Sequence, residues 1–191
     1  DTTQVSGTYG IFENFDLNGS RLVVNGSYLS SRRNEVHEHN RANGTQLSGT
    51  NLVLMNSHVH HNQGNDRHGT FVGSGSSEIW LVDNEYNHNG GDGIQFCHGC
   101  SESPPHHVYI GRNTMHTDRE NGIDLKYSSD VVASENVLYS YASAPPDQNW
   151  CFDDGSGCGT FTSGSDGAAI VIGSDGGPRN VWLIANEVYN S

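Results

Sequence analysis

The chain has 191 residues, a length that suits one domain. Only 33% of it is apolar, 24 residues are Gly, and 22 acidic against nine basic side chains give a net charge of −13. That balance provides no basic stripe for nucleic acid, and no apolar run reaches membrane-spanning length. Disorder is a poor description too, because the apolar residues recur periodically.

Residues 1–21 read as an irregular first turn. Leu22-Val-Val-Asn-Gly-Ser-Tyr-Leu29 follows as an alternating strand, then a polar segment over 30–50 with Arg32, Arg33 and Arg41. From Asn51 to Lys126 a cycle is plain. Asn51–Val59, Glu78–Tyr86 and His107–Met115 each run as an apolar strand, an Asn or Ser, and a further apolar residue. Each is followed by a Gly-led strand: His68–Val72, Asp92–Phe96 and Asn121–Leu125. Asp130–Leu138 and Asn180–Val188 continue the pattern. The first strands align at Leu22, Leu52, Ile79, Val108, Val131 and Val181, at intervals of 30, 27, 29, 23 and 50 residues. Such a period predicts an all-β solenoid, a single-stranded right-handed parallel β-helix of about six to seven turns in one domain over 1–191. The long last interval places a loop insertion at 141–166, with the repeat resuming at Gly167–Ile172. In this alignment Ser27, Ser57, Asn84, Asn113, Asn136 and Asn186 share one bend and predict a ladder of stacked side chains.

Cys151 and Cys158 close a short loop inside the insertion and read as a disulfide. Cys97 and Cys100 leave open a disulfide, a cross-pairing, or a zinc site with His98, His106 and His107, although the spacing matches no standard finger. With three sequons at Asn18, Asn25 and Asn43, the chain fits a secreted protein. No initiating Met, signal peptide or capping helix is visible, so the sequence reads as a segment of a longer protein, or as a solenoid that self-associates through ends covered by other copies.

Strand alternation puts Asp124 and Lys126, the sole Lys, on the outward face, with Gln95 and Cys97 one turn earlier. The positions before the Gly-led strands read His37, His68, Asp92 and Asn121. Turns about 4.8 Å apart would let His68 meet Asp92, fixing a tautomer and raising basicity. Further outward His rows fall at His58, His60 and His116, and at His61 and His88.

Asn65-Asp-Arg-His-Gly69, followed by Arg119-Glu-Asn-Gly-Ile-Asp-Leu-Lys126, resembles the catalytic β-helix module of mannuronan C5-epimerases and related alginate lyases, over roughly residues 50–140. The Asp-Pro-His-Glu motif of those epimerases has no counterpart; Val36-His-Glu-His39 is the nearest stretch. The resemblance implies an acid/base role for His68. Proton abstraction at C5 of a uronic acid needs a base, an acid and a group that neutralises the carboxylate. His68 or Lys126 suits the base, Arg67 or Arg119 the neutraliser, and Asp92 or Asp124 an orienter or Ca²⁺ ligand. His37, Gln95, His116, Arg119 and Asp124 are the expected substrate contacts. The expected partner is a polysaccharide, a polyuronate first of all. The alternative is a non-catalytic glycan-binding, adhesin or fibre-forming solenoid.

Overall fold

Every turn of the chain has to hide a few apolar side chains that no single turn can enclose, so the turns stack. The computed structural model describes residues 1–141, 168–173 and 176–191, together with the backbone of 149–151 and 158–160. Among these residues there is no helix, and all long-range strand pairing outside 149–160 is parallel. The fold is a parallel β-helix of three faces. The third face is a seven-stranded sheet with one strand per turn, from Asp16–Asn18 through Glu35–His37, His58–His60, Glu85–Asn87, Thr114–His116 and Val137–Tyr139 to Glu187–Tyr189. Seven turns lie within the expected range.

The first and second faces form one eleven-stranded sheet. In the early turns a single long strand crosses both, as in Arg21–Arg32 and Thr45–Met55; later turns split it, as in Ile94–Phe96 and His106–Gly111. Inward positions alternate with outward ones, and the inward set stacks into one column containing Leu22, Leu47, Leu52, Val59, Ile79, Tyr86, Ile94, Ile110, Ile123 and Leu138. A thin column needs few apolar residues, which explains the low apolar fraction.

Three corners of each turn carry a residue with positive φ. One series is Tyr28, Asn51, Glu78, His107 and Asp130; the second is Arg33, Asn56, Asp83, Arg112 and Glu135; the third, after the third-face strands, is Glu38, His61, His88, Thr117 and Ser140. These left-handed residues are short kinks that aim the next strand at a new face. The residue after each member of the second series turns its side chain inward. Asn84 donates from Nδ2 to Asn113 Oδ1 at 3.0 Å, Asn113 to Asn136 at 2.9 Å, and Asn136 to Asn186 at 2.9 Å. Each amide also donates to the carbonyl of the next-to-last strand residue in the turn below, as Asn113 does to Leu81 at 2.8 Å. The expected ladder is present.

Its first rung differs from the expected alignment. Leu22 pairs with Thr45, and Leu29 is the residue that pairs with Leu52. The ladder therefore begins at Asn34, whose backbone N–H donates to Ser57 Oγ, while Ser27 lies inside a long strand opposite Thr50. The first turn is regular rather than irregular, since Thr2–Glu13 is a strand in register with Arg21–Arg32. Cys97 and Cys100 are joined by a disulfide, with Cα atoms 5.8 Å apart. In the insertion, Asn149–Cys151 pairs antiparallel with Cys158–Thr160 and sets Cys151 opposite Cys158. Their side chains, and the rest of that loop, lie outside the described residues.

Candidate functional site

The corner that leads into the first face carries a second ladder, and the candidate catalytic residues belong to it. His68 N–H donates to Asn43 Oδ1 at 2.9 Å, Asp92 N–H donates to His68 Nδ1 at 2.9 Å, and Asn121 donates to Asp92 Oδ1 through both its backbone N–H and its amide, at 3.0 and 2.8 Å. The stack is thus Asn43, His68, Asp92 and Asn121. His37 is not part of it: it lies in Glu35–His37 on the third face, because the loop from the third face to the first spans several residues and shifts the phase.

His68 and Asp92 are both buried, and His68 Nδ1 also lies 3.2 Å from Asp92 Oδ2. With the Asp92 amide donating to Nδ1, the neutral ring carries its proton on Nε2. That atom faces Asp66, whose Oδ1 is 3.8 Å away. The imidazole therefore offers a hydrogen-bond donor toward the corner.

On the first face itself the outward row runs Gln46, Phe71, Gln95, Asp124 and Val171 on successive turns. Gln95 donates to Asp92 Oδ2 at 3.1 Å, and Lys126 Nζ stands 3.3 Å from Asp124 Oδ2. His68, Asp92, Gln95, Asp124 and Lys126 thus lie together across three turns. Asp124 is only 6% exposed, and its Oδ1 is buried without a hydrogen-bond partner. Burial raises the Asp124 pKa, as does the negative charge of Asp92, against the opposing effect of Lys126.

Arg119 Nη1 donates to Asn65 Oδ1 at 2.7 Å and to Gly90 O at 3.3 Å, and lies 3.9 Å from Glu120 Oε1. Arg67 is half-buried beside His68. Glu120 was not among the residues expected from sequence, yet burial, with Asp92 and Asp66 nearby, pushes its carboxyl up to about 7. One ligand atom each of Asp66, His68 and Glu120 lies within 4.8 Å of the others. Both extra residues sit inside the quoted Asn65–Gly69 and Arg119–Lys126 stretches, but in corner loops whose phase strand alternation does not set.

His116 stacks on Tyr139 on the third face, with ring centroids 4.7 Å apart. It and His37 are therefore separated from the first-face cluster. As a calcium pair, Asp92 and Asp124 offer little. A Ca²⁺ ion takes six to eight oxygens, whereas the Asp92 oxygens already accept from Asn121 and Gln95.

No family model and no curated protein sequence matches the chain. Among solved structures, it is similar to the A-modules of two mannuronan C-5 epimerases of Azotobacter vinelandii. For AlgE4 the identity is 12%, with 99% of this chain and 89% of that chain covered at a TM-score of 0.35. For AlgE6 the values are 12%, 98%, 88% and 0.35. The pectin methylesterase of Aspergillus niger is similar at 8% identity, covering 100% of this chain and 78% of that chain, with a TM-score of 0.25.

Proposed function

We propose that the first face and its leading corner bind an acidic polysaccharide outside the cell, with a polyuronate as the substrate class, and abstract the C5 proton of a uronate. The observation that carries this reading is the group formed by Glu120, His68 and Arg119 at the corner, with Lys126 beside Asp124 Oδ2 on the adjoining face. Three of the nine basic residues, Arg67, Arg119 and Lys126, fall in this region, among the carboxylates of Asp66, Asp92, Glu120 and Asp124. They give an anionic sugar a place to dock. The Cys97–Cys100 disulfide suits an oxidising compartment.

In the reaction, Arg119 or Lys126 neutralises the uronate carboxylate and so acidifies C5–H. Glu120, poised near neutrality, takes that proton. The electron pair forms C4=C5, the C4–O4 bond breaks, and the departing oxygen accepts a hydrogen bond from the His68 Nε2–H and takes up its proton from solvent. If a proton returns to the opposite face of C5 instead, the outcome is epimerisation.

The test is incubation with alginate, its polymannuronate and polyguluronate blocks, and polygalacturonate. Unsaturated product is read by ultraviolet absorbance and C5 inversion by NMR. Product is expected on at least one polymer, and Glu120→Gln should lower kcat by about 10²–10³-fold while still unfolding in one cooperative transition. Binding without product on any polymer would instead support a glycan-binding module. One observation favours that second reading: His68 and Asp92 occupy the ladder positions held by Asn43 and Asn121 in adjoining turns, so they also serve the stack.

A further inference from the structure

We propose that Glu35, His58 and His60 form a binding site on the third face for a borderline divalent transition-metal ion, with Zn²⁺ as the reference case. This inference is independent of the first-face chemistry. His58 and His60 are two apart on one strand, so their rings leave the same side of the sheet. Glu35 is the register partner of His58 on the adjoining turn. Strand geometry alone therefore gathers three donors, and the contacts agree. His60 Nε2 is 3.0 Å from Glu35 Oε1, the rings of His58 and His60 lie 3.9 Å apart, and one ligand atom from each residue falls within 4.8 Å of the others. Ligands about 2.0–2.1 Å from a tetrahedral zinc sit at separations of roughly 3.3 Å, so small side-chain shifts would complete the set.

The surroundings hold these groups in place. His37 stacks on His60 at 4.9 Å, and Asn87 Nδ2 is 2.8 Å from His58 Nε2. Glu85 lies 3.9 Å from His58 and 3.5 Å from His116, a further carboxylate on the other side. The His60 and His61 Nδ1 atoms are 2.8 Å apart. Such second-layer contacts orient metal ligands. Two imidazoles and one carboxylate suit zinc or copper and leave room for a water or a substrate group, whereas calcium prefers an all-oxygen set.

The experiment is calorimetric titration of chelator-stripped protein with ZnCl2, and in parallel with CaCl2. Wild type is expected to bind Zn²⁺ saturably and to melt higher with it, with no heat from Ca²⁺ at this face. His60→Ala and Glu35→Gln should each weaken Zn²⁺ by about tenfold or more, while His88→Ala leaves it unchanged. Should His60→Ala fail to fold by circular dichroism, the size-matched His58→Gln and His60→Gln take its place. Absence of saturable Zn²⁺ binding by wild type would overturn the proposal. So would binding that survives in these variants, or that disappears in Glu120→Gln, which would move the ion to the corner cluster.

Discussion

Asp118 shows how one side chain can strain an otherwise regular stack. It ends a further ladder, in which Asn62 donates to Asn89 Oδ1 at 3.0 Å and Asn89 donates to Asp118 Oδ1 at 2.8 Å. Tyr141 OH donates to its other oxygen at 2.9 Å. Burial nonetheless pushes the carboxyl up to about 7, with the bonds from Asn89 and Tyr141 opposing and the charge of Asp92 adding to it. The folded state therefore holds this proton more tightly than the unfolded chain does. The resulting stability is fully present below the ordinary Asp value and is lost as pH rises through about 7. Asp118→Asn, which extends the amide ladder and carries no charge, should melt above wild type at pH 8 and lose that advantage at pH 4. Thermal melts across that range check it; a gap independent of pH would show that Asp118 is not the group responsible. Glu120, also raised to about 7, keeps part of the slope in the variant.

At the level of the strand and its bend, the Asn column does more than any single apolar contact to fix the register. Asn113 accepts from the Asn84 backbone and amide at 2.9 and 3.0 Å, and donates to Leu81 and Asn136. Asn113→Ala would strand several buried polar groups and is expected to cost about 3–5 kcal/mol in urea unfolding. Asn186→Ala, in the partly exposed last turn where water can substitute, should cost only about 1 kcal/mol. Equal losses would mean that the ladder is not the source. This column was legible in the sequence from Leu52 onward because a strand, a kink and an Asn recur in that order. It failed at Leu22 for a physical reason. In the early turns one strand passes through the first corner without a break, so the interval of 30 to Leu52 joins two different faces, whereas Leu29 to Leu52 is the true turn. The site was half legible. Gln95 and Asp124 followed from alternation within strands, while His37, Asp66 and Glu120 turn on loops of unequal length, where alternation gives no phase.

For the molecule as a whole, a charge of −13 along a narrow coil means that turns stack against their own repulsion. Raising salt from about 10 mM to 150 mM shortens the screening length from about 30 Å to about 8 Å. The melting temperature should rise with it; a fall would mean that exposed pairs such as Arg112 with Asp83 outweigh the general repulsion. In the last described turn Leu183 and Val188 are 45% and 48% exposed. The ladder through Asn89 also bears on how the molecule ages. Asn89 precedes Gly90, the pairing most prone to spontaneous deamidation, and Gly90 has no substitute because a side chain there would collide with the carbonyl of Gly64. Ring closure requires the Asn89 amide to swing toward the next peptide nitrogen, and its bonds to Val59, Asn62 and Asp118 forbid that swing. Chemical decay at this position therefore waits on local opening, and its pace would report how often the middle of the coil comes apart.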